Sequence, residues 1–172
     1  QAQPCRRPRS RQRKWCGRHI IGPGHEVSTV AYRGWDGIQN GKMLRLNPDG
    51  TIPTDNPFFS STSGKNRAIY SLGLRNPFTF AFNPALSQMF INDVGQNTWE
   101  EINDGVAGAN YGLPTTEGAT TNPSFVSPRY AYNHSSRGVC AITGGAFYSP
   151  STPQFPSDYL NDYFFADYCA GW

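Results

Sequence analysis

Residues 68–103 read AIYSLGLRNPFTFAFNPALSQMFINDVGQNTWEEIN, and four runs within them decide the fold. Ala68-Ile69-Tyr70-Ser71-Leu72, Thr79-Phe80-Ala81-Phe82, Gln88-Met89-Phe90-Ile91-Asn92-Asp93 and Glu100-Glu101-Ile102-Asn103 are each four to six residues long. Gly73-Leu74-Arg75-Asn76-Pro77, an Asn83-Pro84 turn and a polar turn separate them. A helix requires an apolar period of 3.6 residues sustained over several turns, and no segment carries one. Short runs of this kind between Gly, Pro and Asn predict strands in an antiparallel meander.

The same texture extends outward in both directions. Lys42-Met43-Leu44-Arg45-Leu46 alternates polar and apolar as a half-buried strand, and Asn47-Pro48-Asp49-Gly50 places Pro and Gly where a β-turn wants them. Thr51 to Asn66 reads as a surface loop, and Gly105 to Gly118 as a Gly-rich one. Ala141 to Tyr148 and Asp162 to Tyr168 are the last predicted strands. With Gly 18, Pro 14 and aromatics at 14%, the chain is expected to be all-β, its short strands arranged like propeller blades, although no exact internal period recurs.

Charge divides the chain. Seven of the fifteen Lys and Arg residues lie between Arg6 and Arg18, whereas from His19 onward eight basic residues face twelve acidic ones, a net of −4. Residues 1–38 are therefore expected to be an Arg-rich segment, disordered or translated out of frame, and residues 39–172 a separate domain. A basic tail on an acidic body argues against nucleic acid as a partner.

Cys5, Cys16, Cys140 and Cys169 form no C-x-x-C pair and lack His residues at zinc spacing. Cys140 and Cys169 each flank a predicted strand, so a disulfide between adjacent strands in an oxidising compartment and two buried free thiols are both open. No run approaches the roughly 20 apolar residues of a membrane span, and the first residues lack the apolar core of a signal peptide.

Five motifs occur in order: Lys42 to Gly50; Gly73-Leu74-Arg75-Asn76-Pro77; Asp93-Val94-Gly95-Gln96-Asn97 with Glu100-Glu101-Ile102-Asn103; Asn110-Tyr111-Gly112; and Ala141-Ile142-Thr143-Gly144-Gly145. Together they resemble the glucose/sorbosone dehydrogenase family over residues 41 to 172. The resemblance implies a six-bladed β-propeller, of which about two to three blades are present, holding pyrroloquinoline quinone (PQQ) beside a calcium ion. It implies oxidation of an aldose by hydride transfer from C1 to PQQ, with a sugar substrate and an external electron acceptor as partners. An extracellular or periplasmic location is expected, and a homodimeric parent is left open.

The resemblance assigns roles by position. Arg75 and Asn76 match the pair that contacts the quinone, where a guanidinium and an amide stabilise developing negative charge. The alternative for Arg75 is an ion pair with an acid such as Asp93. Gly95 and Gln96 match the two residues whose backbone carbonyls bind the calcium beside PQQ, and an ordinary turn is the alternative there. Glu101, by its carboxylate, and Tyr111, by its main-chain carbonyl, match a second, structural calcium site. Glu100, on the opposite face of the strand from Glu101, is expected to be solvated.

Three departures limit what the chain is expected to do alone. The family's general base, a His near the sugar C1 hydroxyl, belongs to an earlier blade, and the Arg-rich stretch stands in its place. The blade that supplies further Arg contacts to PQQ would follow Trp172, and Leu113 stands where the family has Trp. His134 matches no family base and lies in Asn133-His134-Ser135, a glycosylation sequon on a polar turn. The chain is thus expected to be an internal fragment of a PQQ-dependent sugar dehydrogenase, inactive by itself. A non-catalytic extracellular propeller that binds protein or glycan is the alternative.

Overall fold

The computed structural model describes the backbone of His19–Ile20 and Glu26–Ser28, and residues 41–83, 85–135 and 138–171. The described chain is all-β: β1 (His19–Ile20), β2 (Glu26–Ser28), β3 (Lys42–Leu46), β4 (Ile69–Leu72), β5 (Pro77–Asn83), β6 (Gln88–Asp93), β7 (Trp99–Asp104), β8 (Tyr130–Asn133), β9 (Ile142–Phe147) and β10 (Tyr163–Asp167). Two short 3-10 turns, Gly64–Ala68 and Ser157–Tyr159, are its helical pieces. The strands form an antiparallel sheet β1-β2-β3-β4, a second β5-β6-β7-β8, and a ribbon β9-β10. Two four-stranded meanders and a third begun match the expected two to three blades.

Each predicted strand is present to within two residues at either end. β8 was not foreseen, because four residues between Pro128 and the Asn133-His134-Ser135 turn carry too short a pattern to read. β2 pairs with β3 through Glu26↔Leu46, Val27↔Arg45 and Ser28↔Leu44. β1 and β2 thus fall within residues 1–38, the stretch expected to be disordered or foreign, and the remainder of that stretch lies outside the described residues.

Period-two alternation in the middle sheet explains how the layers stack. Phe80 pairs with Ile91 and Phe82 with Met89 on one face. That face joins Met43, Leu74, Ala109 and Tyr111 in one core cluster. Phe90 and Ile102 belong to the opposite face and join Tyr132, Val139 and Ile142 in a second cluster, with Phe147 and Tyr163 packed against it. The sheet β5-β8 is thus covered on both sides, which is why β6 is buried from Met89 through Asp93 rather than at alternate positions.

Double coverage corrects one expectation. Glu100 is fully buried rather than solvated, because its face of β7 meets the β9 layer instead of water. There its Oε2 accepts the Ile142 N–H at 2.9 Å, and its Oε1 lies 2.5 Å from His134 Nε2.

Candidate functional site

The Gly73–Asn76 loop is shaped by one glycine and one carboxylate. Gly73 has φ +80°, and a Cβ there would lie 2.1 Å from Asn110 Oδ1 and 2.7 Å from the Gly112 nitrogen, so no other residue fits. Leu74 then turns into the core, only 3% exposed. Arg75 and Asn76 face solvent while their backbone N–H groups donate to Asp93, to Oδ2 at 2.8 Å and Oδ1 at 2.6 Å. Asp93 therefore holds the backbone of Arg75, and the ion pair considered for the side chain does not form. The guanidinium instead donates from Nε to Gln96 Oε1 at 3.0 Å and from Nη1 to the Val94 carbonyl at 3.3 Å. The structure thus brings Arg75, Asn76, Gly95 and Gln96 together.

The loop after Asp93 is closed by an acid that the sequence did not mark. Glu117 Oε1 accepts the Gln96 N–H at 2.6 Å and the Asn97 N–H at 3.2 Å, with those of Thr98 and Trp99 at 3.5 Å. A Cβ on Gly95 would lie 1.6 Å from the Trp99 carbonyl oxygen and 2.6 Å from that same carboxylate oxygen, so glycine is required. Burial pushes the Glu117 carboxyl up, but the four backbone donors outweigh it and leave it below the ordinary value. Nothing in Thr115-Thr116-Glu117-Gly118 distinguishes this Glu from a solvated loop acid, since its partners are some 20 residues away.

Asp93 and Glu101 are directly opposed on β6 and β7, two carboxylates on one buried face. Burial, with smaller contributions from Glu101 and Glu100, pushes Asp93 up to about 7 against the two backbone donors that favour its charge. Glu101 accepts the Gly118 N–H at 2.6 Å and the Asn103 side-chain amide at 3.0 Å, while the buried Asn103 Oδ1 has no hydrogen-bond partner. A carboxylate beside an orphaned amide oxygen is an oxygen donor set suited to a hard cation. Tyr111 is buried in the cluster on the same side, its N–H bonded to the Leu72 carbonyl.

Among the described residues no three His, Cys, Asp or Glu side chains gather as a metal centre, so a cation here would depend on backbone carbonyls. The Gly95 and Gln96 carbonyls fit that need. Each belongs to a trans peptide whose N–H donates to Glu117, and in a planar trans peptide the carbonyl points the opposite way. Arg75 fits an anionic planar ligand: its guanidinium is exposed and makes no ion pair among the described residues. Cys140 and Cys169 form a disulfide, with Asp167 accepting the N–H groups of Cys140, Ala141, Cys169 and Ala170 around it.

The chain is similar to known proteins in sequence and in fold. The pattern of the family described as Glucose / Sorbosone dehydrogenase matches residues 36–166. Over 91 residues the chain is 42% identical to quinoprotein glucose dehydrogenase B of Acinetobacter calcoaceticus, covering 53% of this chain and 18% of that protein. It superposes on the apo form of the soluble aldose sugar dehydrogenase of Escherichia coli with a TM-score of 0.68 and 25% identity, covering 92% of this chain and 49% of that one. The PQQ-bound aldose sugar dehydrogenase of Streptomyces coelicolor gives a TM-score of 0.55 and 28% identity, covering 72% and 35%. The chain spans less than a fifth of the first relative and no more than half of either structure. With these β-propellers as neighbours, the sheets are blades of a partial propeller.

Proposed function

The chain belongs to the glucose/sorbosone dehydrogenase family, and on that premise we propose that it is the cofactor-holding part of a PQQ-dependent aldose dehydrogenase. PQQ, when bound, supplies a quinone that takes up hydride from the sugar C1 and passes electrons to an external acceptor. Arg75 and Asn76 would hold it. The Arg75 guanidinium is tethered at Nε and Nη1, so it offers preorganised positive charge to a quinone oxygen. Asn76 adds a side-chain amide from the next position. The carbonyls of Gly95 and Gln96 would hold a calcium ion beside that ligand, and Glu101 with the Tyr111 carbonyl a second, structural one.

The observation that carries this reading is the Arg75 to Gln96 bond at 3.0 Å, which joins the quinone motif to the calcium motif across 21 residues of sequence. Residues 41 to 172 contain no counterpart of the family's general base, so turnover belongs to a protein in which the remaining blades complete the site. The disulfide supports an extracellular or periplasmic location, where such bonds persist. The test is sugar-dependent dye reduction by the completed enzyme with PQQ and calcium. Arg75→Ala is expected to lower it on the order of 10²-fold, as loss of one preorganised oxyanion donor does. Activity near wild type would remove Arg75 from the role.

A further inference from the structure

We infer that Glu117 is the positioning residue that aims the Gly95 and Gln96 carbonyls at the cation; this rests on the reading of that loop as a calcium site. The short contacts from Glu117 Oε1 go to the Gln96 N–H at 2.6 Å and the Asn97 N–H at 3.2 Å. Those two hydrogens belong to the same peptide units as the Gly95 and Gln96 carbonyls. One carboxylate oxygen that accepts both N–H groups therefore turns both carbonyl oxygens to the side away from itself.

Orientation is half of the effect. A peptide whose N–H donates to an anion is polarised, and its carbonyl oxygen becomes more negative and a better ligand for a hard cation. Glu117 thus acts on the cation through the backbone without touching it, as carboxylates behind metal ligands do elsewhere. The site is built around this acid: Gly95 lacks a Cβ where one would meet Glu117 Oε1 at 2.6 Å, and the Trp99 ring packs within 3 Å of the Cβ position of Gly118, the residue after Glu117. Glu117 has no place among the ligands proposed above, and its removal leaves every one of them in the chain.

The test is calcium titration of the full chain followed by amide resonances in nitrogen–proton correlation spectra, which read Gly95, Gln96 and Asn97 separately from Glu101 and Tyr111. Wild type is expected to saturate at the loop. Glu117→Ala is expected to weaken that site by at least about tenfold while the second site keeps its affinity. Glu117→Gln, which retains an oxygen acceptor without the charge, is expected to fall between them. Equal loop affinity in wild type and Glu117→Ala would overturn the inference and leave the calcium reading intact. No calcium-dependent shift at residues 95–97 in wild type would overturn the calcium reading, and the inference with it. Should Glu117→Ala fail to fold, Glu117→Gln decides: a loss of about threefold or more supports the role, and unchanged affinity overturns it.

Discussion

Asp93 accepts the backbone N–H of Asn76 at 2.6 Å, and with its other oxygen that of Arg75, so one buried carboxylate fixes the loop that presents both side chains. Asp93→Asn replaces an acceptor with an NH2 group that must face a backbone donor. The expected cost is about 1–3 kcal/mol of folding stability, measured by denaturant unfolding. PQQ affinity is expected to fall as well, because Arg75 and Asn76 lose their common anchor. A variant with unchanged PQQ affinity would show that the loop holds its shape without the carboxylate.

His134 lies 2.5 Å from the fully buried Glu100 and is placed to satisfy that carboxylate rather than to take a proton from a substrate. Burial raises the Glu100 carboxyl even with donors from Ile142, His134 and Gly95. His134→Ala is expected to destabilise the chain by about 1–3 kcal/mol, the cost of leaving a buried acceptor short of a donor. In the completed enzyme its turnover at a temperature where it is folded is expected to stay within about threefold of wild type; a loss of the 10² or more that a general base supplies would instead make His134 catalytic.

Asp167 couples the last ribbon to pH. Burial raises its carboxyl, but the N–H donors of Ala170, Cys140 and Cys169 and the Tyr132 hydroxyl together bring it below the ordinary value. A depressed folded-state pKa means that the stabilisation is fully present above the unfolded value, about 4, and is lost as pH falls through the folded one. Asp167→Asn is expected to cost about 1–3 kcal/mol at neutral pH, with the gap to wild type narrowing in acid. A gap independent of pH would show that the charge is not what the donors recognise.

The strands were legible because β3 carries its own polar/apolar alternation, while β5 and β6 are short runs set apart by turn residues such as Gly73, Pro84 and Gly95. Local pattern says which residues share a face, but not what covers that face. This is how Glu100 was misread: its period-two position was right, and the layer of β9 that buries it lies some 40 residues away. The site divides in the same way. Arg75, Asn76, Gly95 and Gln96 stand in recognisable motifs, whereas Glu117 carries no local signal and shows its part only when the loop folds onto it. The tether from Arg75 to Gln96 is likewise a product of the turn between β6 and β7.

The central claim is that Arg75 and the loop beside it form one face for PQQ, and calorimetric titration of PQQ into the chain in the presence of calcium tests it most directly. Saturable binding at one PQQ per chain, weakened at least about tenfold by Arg75→Ala through loss of a charge-assisted contact, is the expected result. Absence of binding by wild type, or equal affinity in wild type and Arg75→Ala, would contradict it.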